Sequence, residues 1–389
     1  IGNEVVNGFA KPFDVLALQE QESWSTTTFN IVSDLNAIYG VGTYNYAILN
    51  GQTAGAGRPG LIYNTNTVDL ISNVAFGSVS GTEHARQTSR YQLRPGGYNS
   101  SADFYVYSNH YKAGTTASDQ NRRQHEATVL RADLDALGQG TSAILAGDYN
   151  IQSSFESSYQ TLLAAGNGQA FDHISTPGTW NNNSSLRITH TQSPATSSSF
   201  PGQVLGGVDD RFDFQLVTGE LLDDEGLSYI NNSYRAFGNN GSHSCCNSPI
   251  TSGNGASPTV LTALTTASDH LPVVADYQLP AVMMASLGSV PATVPQGASV
   301  NVDVLVENIA NVLVPAGADE LDYTISVSGA LSGGLSSFDN ALGGGNTHQI
   351  GLDTSTLGAQ SGTITVTTTS QSAQNTVFNL PVSFTVRSG

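Results

Sequence analysis

Apolar positions along the first 280 residues follow two alternating patterns. Short apolar runs, such as FDVLAL (residues 13–18) and AILAGDYNI (143–151), have the length of buried strands and end in polar side chains. Other segments place apolar residues at helical spacing and predict helices in TTTFNIVSDLNAIYG, DQNRRQHEATVLRADLDAL and SFESSYQTLLAAG. Strands that alternate with helices predict an α/β sheet. In PGLIYNTNTVDLIS two apolar runs flank an Asn/Thr turn, which predicts a hairpin and hence a mixed sheet.

The pattern changes after Pro280. Residues 281–389 show no helical spacing and contain Thr/Val/Ser-rich runs separated by Gly-rich turns, namely SVNVDVLVEN, LDYTISVSG, SGTITVTTTS and VFNLPVSFTV. Such a series of short strands is typical of an all-β, immunoglobulin-like sandwich. We therefore predict two domains, residues 1–279 and 280–389, with the linker near Pro280. A chain of 389 residues also exceeds the usual size of one domain.

Charge limits the choice of partners. The chain carries 31 acidic against 13 basic side chains, a formal net charge of −18, and Lys11 and Lys112 are its only lysines. Such a surface would not hold a polyanion by charge alone, so a nucleic-acid substrate would require a bound cation. No apolar run reaches the about 18 residues of a membrane span. The Lys-poor, Asn/Ser/Thr-rich composition and the start at Ile1 without Met suggest a processed, exported protein, extracellular or at the cell surface.

The two cysteines are adjacent in the chain. Cys245 and Cys246 lie in SHSCCNSPI, and neighbouring cysteines cannot build a disulfide framework. We expect two loop thiols or one vicinal disulfide, because a metal site would need further Cys or His residues at ligand spacing.

Polar groups lie at the ends of several predicted strands. Taken singly, each has a structural explanation: a turn for Gly-Asp-x-Asn, a helix cap for Ser-Asp-His, and an ion pair of Asp213 with Arg211 or another arginine. Ligands usually bind at strand ends in α/β sheets, and a cluster of carboxylates with histidine suits Mg²⁺ or Mn²⁺. The groups are Glu20 after VLALQ, His110 after YVYSN, Asp148 and Asn150 after ILAG, Asp213 within RFDF, and Asp269 with His270 before LPVVADY.

The same segments resemble a known family. LALQEQES, SNHYKAG, LAGDYNI, DDRFDF and SDHLP, in this order across about residues 13–277, are similar to the motifs of the endonuclease/exonuclease/phosphatase superfamily, which includes deoxyribonuclease I. The resemblance implies an α/β fold, a four-layer sandwich of two mixed β-sheets with helices outside. It also implies metal-assisted hydrolysis of a phosphoester, with DNA or RNA as candidate substrates.

The resemblance assigns Glu20 as the principal ligand of Mg²⁺ (or Mn²⁺), with Asp269 completing the metal shell. His270, oriented by Asp213, would contact the scissile phosphate. The chemistry requires such groups, because a phosphodiester repels nucleophiles through its own charge and a cation must offset that charge. An Asp–His hydrogen bond favours the imidazolium and adds a further positive group.

The resemblance also assigns the groups that handle water and the leaving group. Asp148 would position or deprotonate the attacking water, and Asn150 would bind a phosphate oxygen or orient that water. His110 would bind phosphate or protonate the leaving oxygen. In this interpretation the buried strand is a rigid mount, and Gly147 lets the chain turn so that Asp148 and Asn150 face one reacting centre.

Basic residues near these motifs are candidates for substrate binding. Arg86 precedes a strand as a phosphate-binding arginine does in some relatives; Arg90 competes with it, and a structural ion pair is an equal alternative for either. Lys112 follows His110 by two residues, on the same side of a strand, and would add positive potential at the cleft. An exposed lysine at a strand edge is the alternative.

One feature of the family is missing at the start of the chain. The first strand of the family carries an Asn that shares the metal region, whereas IGNEVVNGFAKP is too short for a strand plus a helix. Neither Asn3 nor Asn7 lies in the required setting. We therefore expect either that the sequence lacks its N-terminal part or that the core sheet is one strand short, and in both cases a weaker metal site.

The substrate is open at the level of sequence. The segment with Tyr44, Tyr46 and Arg58 would reach into a DNA groove or form a flexible turn, and the long loop at 173–208 would shape the rim of the site. The loop residues considered for that rim are His173, Arg187 and His190.

Three hypotheses follow. The first is a secreted, Mg²⁺-dependent phosphodiesterase, most simply a nonspecific nuclease. The second is a phosphomonoesterase or phospholipid-headgroup hydrolase of the same superfamily, which the low basic content favours. The third is a non-catalytic cell-surface adhesion or assembly protein.

The C-terminal region has its own candidate ligands. It would bind a cell surface or carbohydrate, or act as a spacer. Asp319, Glu320 and Asp322 make Ca²⁺ a further candidate cofactor, although an exposed acidic loop explains them equally.

Overall fold

The fold was obtained as a computed structural model that describes residues 1–389. The chain forms two compact units. The first comprises Ile1–Gly97, Asp103–Leu222 and Asn231–Asp276, and the second comprises Tyr98–Ala102, Asp223–Ile230 and Tyr277–Gly389. The domain boundary between residues 279 and 280 stays a prediction, because compactness does not test independent folding.

The first unit is built on three sheets. Its strands are β1 (Val15–Gln21), β2 (Tyr44–Tyr46), β3 (Arg58–Asn64), β4 (Val68–Phe76), β5 (Thr88–Pro95), β6 (Phe104–His110), β7 (Ala143–Asp148), β8 (Ala170–Asp172), β9 (Asp213–Thr218), β10 (Arg235–Ala236) and β11 (Val273–Val274). An antiparallel sheet has the order β1-β3-β2, and a larger mixed sheet has the order β4-β5-β6-β7-β9-β8. Only β6 and β7 are parallel in the larger sheet, and β10 pairs with β11 separately.

Four α-helices belong to the same unit: α1 (Phe29–Tyr39), α2 (Ala117–Leu137), α3 (Ser157–Leu163) and α4 (Pro258–Ala267). A π-helical turn, Trp24–Thr28, runs directly into α1, and short 3₁₀ turns cover Ser184–Thr189, Gly219–Leu221 and Ile250–Ser252. Thr116 and Asp119 form a capping box that starts α2. No helix has both the length and the apolar character needed to cross a bilayer.

Helices cover the outer faces of the two main sheets. Buried side chains of α2 and α3, such as Leu130 and Leu162, share one core with Leu145 and Leu216 of the larger sheet. On the other side, Val32 of α1 packs in a cluster with apolar residues of the small sheet. The inner faces of the sheets meet, since the Ser108 hydroxyl on β6 donates a hydrogen bond to the carbonyl of Leu18 on β1 at 2.9 Å.

This order of helix, sheet, sheet and helix confirms the predicted fold class. The sheets explain why the strands read as continuous apolar runs: a strand covered on both faces has no polar face. The small sheet is antiparallel throughout, so only the larger one is mixed. No strand precedes β1 in residues 1–389.

Two local predictions differ from the structure. The hairpin predicted in PGLIYNTNTVDLIS is wrong, because β3 and β4 are both strands but lie in different sheets. β3 is buried on both faces between β1 and β2, whereas β4 is an edge strand paired with β5. Helix α4 was not predicted, because its Thr/Val-rich sequence has low helix propensity; the Ser257 cap and Pro258 at its first turn are the signals for it.

The second unit is all-β, as predicted. Its strands are β12 (Met283–Leu287), β13 (Thr293–Pro295), β14 (Asn301–Asn308), β15 (Leu321–Gly329), β16 (Leu331–Ser332), β17 (Leu335–Asp339), β18 (Asn346–Leu352), β19 (Gly358–Thr368) and β20 (Val377–Arg387), with 3₁₀ turns at Ser100–Ala102 and Pro315–Gly317. They form sheets of order β12-β14-β18-β16 and β13-β20-β19-β15-β17. Inward residues of both sheets, including Val304 and Ile364, build one core between them.

We predict that Leu145→Ala destabilises the first unit by about 2–5 kcal/mol, because Leu145 on β7 is fully buried and the change leaves a cavity. Urea unfolding followed by tyrosine and tryptophan fluorescence measures this change. Val41→Ala is the matched control, since Val41 is fully exposed and its truncation should change the free energy of unfolding by less than about 0.5 kcal/mol. Equal effects of the two substitutions would contradict the assigned core.

Candidate active site

Three polar side chains lie abreast across adjacent strands of the larger sheet. His110 ends β6 and Asp148 ends β7, and the two are partners in the parallel register. Asp213 begins β9 and is the antiparallel partner of Asp148. Neighbouring strands are about 4.8 Å apart, so this register alone places the three residues in one row at one end of the sheet.

The glycine before Asp148 permits the close strand pairing. Gly147 has φ +149°, and a Cβ at this position would lie 2.1 Å from the carbonyl oxygen of Asn109 on β6. A side chain there would separate β6 from β7 and move His110 away from Asp148. The requirement for Gly147 is therefore the close approach of two backbones within the sheet, and not the turn expected from the sequence, because Gly147 lies inside β7.

Glu20 joins the row from the other sheet. It lies near the end of β1 with φ +58°, a left-handed conformation that non-glycine residues seldom adopt. Gly57 packs against it so closely that a Cβ would lie 2.3 Å from the Glu20 backbone. The Glu20 carboxylate is half-exposed, and its Oε1 lies 3.8 Å from Nε2 of His110. An unusual backbone conformation is thus held in place beside the histidine.

His270 forms the shortest polar contact of the cluster. Its Nδ1 lies 2.6 Å from Oδ2 of Asp213, and its Nε2 lies 4.0 Å from Oδ2 of Asp148. Burial lowers the pKa of His270, but Asp213, with smaller contributions from Asp148 and Asp269, raises it to about 10. His270 is therefore an imidazolium at neutral pH and presents a positive charge beside Asp148.

A glutamine contacts the outer nitrogen of the same ring. The Gln192 amide nitrogen lies 2.8 Å from Nε2 of His270, and the backbones of the two residues form an isolated antiparallel bridge. Because both nitrogens of an imidazolium donate, the amide must be turned so that its oxygen accepts from Nε2. The adjacent Thr191 accepts from the Leu271 backbone N–H at 2.8 Å and, through its hydroxyl, from the Asp213 backbone N–H at 3.1 Å. The segment 190–192 thus ties Asp213 and His270 together.

His110 is neutral in this setting. Burial, with the positive charges of Arg86 and His270, holds the pKa of His110 well below its ordinary value. Its Nε2 lies 3.3 Å from Oδ2 of Asp148, and its Nδ1 is buried without a hydrogen-bond partner. A neutral imidazole carries one N–H that it can donate, and which of the two predicted roles His110 has stays a prediction.

Asp148 is held by Asn150. Asn150 donates its backbone N–H to Oδ1 and its side-chain amide to Oδ2 of Asp148, both at 2.9 Å. The same amide donates to the carbonyl of Tyr111 at 3.2 Å, which leaves the amide oxygen as an acceptor. Burial raises the pKa of Asp148 to about 7, with Asp213 adding to the rise and His270 opposing it. A carboxyl group with such a pKa is suited to accept a proton from water near neutral pH.

Arg86 belongs to the cluster and Arg90 does not. Arg86 is buried and donates to the carbonyls of Gly55 and Tyr111, and its charge acts on both Asp148 and Glu20. Arg90 instead forms an ion pair with Asp133 at 2.7 Å, which is the structural alternative foreseen for it. The binding of substrate by Arg86 stays a prediction.

Lys112 has its charge partner outside the cluster. Its ammonium lies 2.9 Å from Oδ1 of Asp119, the capping residue of α2, and also donates to the carbonyl of Ala113. Lys112 lies beyond the end of β6 and is partly buried, so it is not the exposed strand-edge lysine of the alternative interpretation. A contribution to substrate binding stays a prediction.

Other residues considered at the level of sequence lie elsewhere. Tyr44 is buried, with its hydroxyl donating to the carbonyl of Phe13, so it does not reach into a groove. Arg58 donates to the carbonyls of Glu22 and Gly51. Arg211 pairs with Asp172 and not with Asp213. In the long loop, His190 is buried while Arg187 is exposed.

Sequence reasoning missed two supporting residues. Glu126 on α2 is fully buried and accepts hydrogen bonds from the backbone N–H groups of Ala85 and Lys112 at 2.8 and 2.9 Å. Ala85 precedes Arg86, and Lys112 follows His110 by two residues. Gln192 contacts His270 as described above. Glu126 lay within a predicted helix whose pattern did not distinguish it from the other polar residues, and Gln192 lay in a loop without any periodic signal.

The donor set fits a hard divalent cation. Glu20 and Asp269 would hold it, since oxygen donors are what Mg²⁺ and Mn²⁺ prefer. Burial raises the pKa of Glu20, and the negative charges of Asp269 and Asp213 raise it further. A cation between carboxylates that repel one another in this way would stabilise their ionised forms. Asp269 is oriented by the Val204 backbone N–H, which donates to its Oδ2 at 2.9 Å.

Comparison with known families agrees with this geometry. The sequence profile of the endonuclease/exonuclease/phosphatase family matches residues 4–270, which is more than half of the chain and contains every residue of the cluster. The chain belongs to the endonuclease/exonuclease/phosphatase family. Members of the family hydrolyse phosphoesters, so the first unit is a hydrolase domain of this kind. No curated protein matches the chain at the level of sequence.

Solved structures that are similar to this chain include three of named proteins. The human Nocturnin catalytic domain with bound sulfate shares 14% identity over 68% of this chain and 80% of that chain, with a TM-score of 0.42. A Bacteroides thetaiotaomicron mannosyl-6-phosphatase shares 16% sequence identity over 68% of this chain and 85% of that chain, with a TM-score of 0.39. D. rerio TDP2 in complex with a single-stranded DNA product shares 12% sequence identity over 68% of this chain and 86% of that chain, with a TM-score of 0.42.

We predict that Asp213→Asn lowers the pKa of His270 from about 10, because burial is then opposed only by the weaker contributions of Asp148 and Asp269. An NMR titration of the imidazole resonances measures the change. In the wild type the raised pKa stabilises the fold fully below about pH 6.5, and this contribution is lost as pH rises through about 10. The stability difference between wild type and variant should therefore shrink from pH 6 to pH 10. A difference independent of pH would contradict the assigned pair.

Proposed function

We propose that the chain is a divalent-metal-dependent phosphodiesterase whose centre is the row of His110, Asp148 and Asp213 with Glu20 and His270. The observation that supports this most directly is the 2.6 Å contact between Asp213 and His270 beside Asp148. It creates a fixed positive group next to a carboxyl group of raised pKa. A site with these two features can neutralise a phosphate and activate water at the same time.

The residues of the chain divide the reaction between them. His270, kept as imidazolium by Asp213, would donate a hydrogen bond to a phosphate oxygen in place of its contact with Gln192. Oδ2 of Asp148 would accept the proton of the attacking water, while Asn150 holds that carboxylate in position. A cation bound by Glu20 and Asp269 would supply positive charge that offsets the charge of the phosphate.

Two further groups would orient the substrate. The neutral His110 would donate its N–H to a phosphate oxygen, and Arg86 would add a buried positive charge close to Asp148. Glu126 would keep the segments that carry Arg86 and His110 together through its two backbone contacts. These fixed donors require little reorganisation during the reaction, which is how preorganised sites lower a barrier.

Small phosphoesters are the second candidate substrates, beside nucleic acids. The observation that favours them is that several basic side chains already form ion pairs within the protein: Lys112 with Asp119, Arg90 with Asp133, and Arg123 with Glu156. Arg58 donates to backbone carbonyls. Few cationic side chains therefore remain for a polyanion, whose binding depends on contacts with many phosphates. A single phosphomonoester or lipid headgroup needs only the charges of the cluster.

We further propose that the protein is exported. The Lys-poor composition supports this, and so does the disulfide between Cys245 and Cys246, since disulfides persist in oxidising compartments. Binding of a cell surface or carbohydrate by the second unit, and of Ca²⁺ by its acidic residues, stay predictions.

We predict hydrolysis of a chromogenic bis-ester by the full chain with Mg²⁺ or Mn²⁺ and its loss with a chelator. His270→Ala should lower kcat by about 10²- to 10⁴-fold, the usual contribution of a positioned acid–base group. Loss of an outer-sphere partner of a metal typically lowers metal affinity about 10- to 100-fold. Glu20→Gln removes a direct ligand, so it should raise the metal concentration needed for the half-maximal rate by at least that factor. His348→Ala, in the second unit, is the control and should retain the wild-type rate.

Parallel assays with plasmid DNA, the bis-ester and a chromogenic mono-ester separate the candidate substrates. Preference for DNA would support the nuclease, and preference for the mono-ester would support the second candidate. A chain that hydrolyses none of the three with any divalent metal, while its circular dichroism is that of a folded protein, would contradict the proposed function.

A further inference from the structure

A second cluster of metal-ligating side chains lies in the first unit, away from the catalytic carboxylates. His190, His243 and Cys245 each offer one ligand atom, and these three atoms lie within 4.8 Å of one another. His190 and His243 are both buried, at 0% and 1% exposure, while Cys245 is half-buried. The residues come from two loops that are about 50 positions apart in the chain.

Hydrogen bonds determine which nitrogen of His190 is available. Nε2 lies 2.9 Å from the carbonyl oxygen of Trp180, and a carbonyl can only accept, so Nε2 carries the proton. Nδ1 of the neutral ring therefore presents a lone pair; it is buried and makes no hydrogen bond of normal geometry, although the Val208 backbone lies close enough to act on the pKa of the ring. Burial lowers the pKa of His190 to about 4, so the ring stays neutral at physiological pH.

The same argument applies to His243 through Asn239. The Asn239 amide nitrogen donates to the carbonyls of Arg187 and His190, which leaves its oxygen as the acceptor for Nδ1 of His243 at 3.2 Å. Nε2 of His243 then carries the lone pair, and it too is buried without a partner. Burial lowers the pKa of this ring as well.

Two buried lone pairs near a sulfur atom form an arrangement that a cation would satisfy. Histidine ligands of metals usually donate their other N–H to a carbonyl or carboxylate, as both rings do here. Two imidazoles and one thiolate are a ligand set typical of Zn²⁺, with water in the fourth position. Ligand atoms in such a site are about 3.3 to 3.8 Å apart, so the three groups would have to approach one another by about 1 Å.

Cys245 can serve as a ligand only after reduction, because it forms a disulfide with Cys246. We propose that, in the thiol form, His190, His243 and Cys245 bind one Zn²⁺ ion, and that the Cys245–Cys246 disulfide closes this site. A phosphine reductant would convert the disulfide to two thiols and be oxidised to its oxide, with water supplying the oxygen atom and the two thiol hydrogens. The Cys245 thiol would then release its proton when the cation binds.

The position of the site gives it a structural consequence. His190 directly precedes Thr191 and Gln192, the segment that contacts Asp213 and His270. Asn239 also holds the carbonyl of His190, at 2.9 Å. A cation on His190 and His243 would therefore join two loops at the base of that segment and stabilise the folded state.

Cobalt(II) tests this assignment, because a thiolate ligand produces a sulfur-to-cobalt charge-transfer band in the near ultraviolet that oxygen ligands do not. We expect the band, at one equivalent, in the full chain treated with a phosphine and not in the untreated chain. Cys246→Ser should show it without reductant, since its Cys245 is a free thiol. Cys245→Ser, the matched variant, should not show it.

Further variants separate this site from the catalytic one. His190→Ala and His243→Ala should each weaken cobalt affinity of Cys246→Ser at least about 10-fold, while His173→Ala should not. Glu20→Gln in the same background should keep the band, so the result does not depend on the proposed hydrolase. With Glu20→Gln added to both variants to remove the other candidate cation ligand, Zn²⁺ should raise the melting temperature of Cys246→Ser more than that of Cys245→Ser.

The proposal is overturned if the reduced chain shows the circular dichroism of a folded protein but no sulfur-to-cobalt charge-transfer band. It is also overturned if Cys245→Ser shows the same band, because Cys246 would then be the ligand. Should Cys246→Ser fail to fold, the comparison of reduced and untreated wild-type chain decides.

Discussion

The register of three adjacent strands is the constraint on which the candidate active site depends. Parallel pairing of β6 with β7 sets His110 beside Asp148, and antiparallel pairing of β7 with β9 sets Asp148 beside Asp213. A slip of one residue in either pair would turn the affected side chains to the opposite face of the sheet. The spacing of the reacting groups is therefore fixed by backbone hydrogen bonds and by the close contact at Gly147, and side-chain flexibility contributes little.

Burial converts this row into a site with unusual charges. Carboxylates on a sheet edge in water would all be ionised and largely independent of one another. Here burial raises the pKa of Asp148, while the imidazolium of His270 is retained because it faces Asp213. Asp148 and Asp213 lie in these low-dielectric surroundings, whereas Glu20 is half-exposed, so solvent screens the charge of Glu20 more than the charges of the other two.

Loops complete the site at some distance along the chain. The segment 190–192 touches both Asp213 and His270, and its first residue belongs to the histidine and cysteine cluster. The irregular loop that carries these residues is therefore tied at one end to Asp213 and His270 of the candidate active site. A function placed on a rigid sheet with loops around it is the usual arrangement in α/β enzymes.

The sequence by itself determined the local elements and the kinds of groups at their ends. Apolar runs and helical spacing located β1, β7, α1 and α2, and Glu20, His110 and Asp148 were visible as polar residues after such runs, because these signals are local. It did not locate α4, whose β-branched residues obscure a helix that its cap and tertiary packing support.

Only the tertiary structure decided how those elements combine. It separated β3 from β4 into two sheets, placed Arg86 in the cluster while Arg90 pairs with Asp133, and brought Gln192 to His270 and His190 to Cys245. Strand partners and loop contacts join residues that are tens of positions apart. Periodicity over a few residues contains no information about such pairs, because the free energy that selects them comes from burying both partners together.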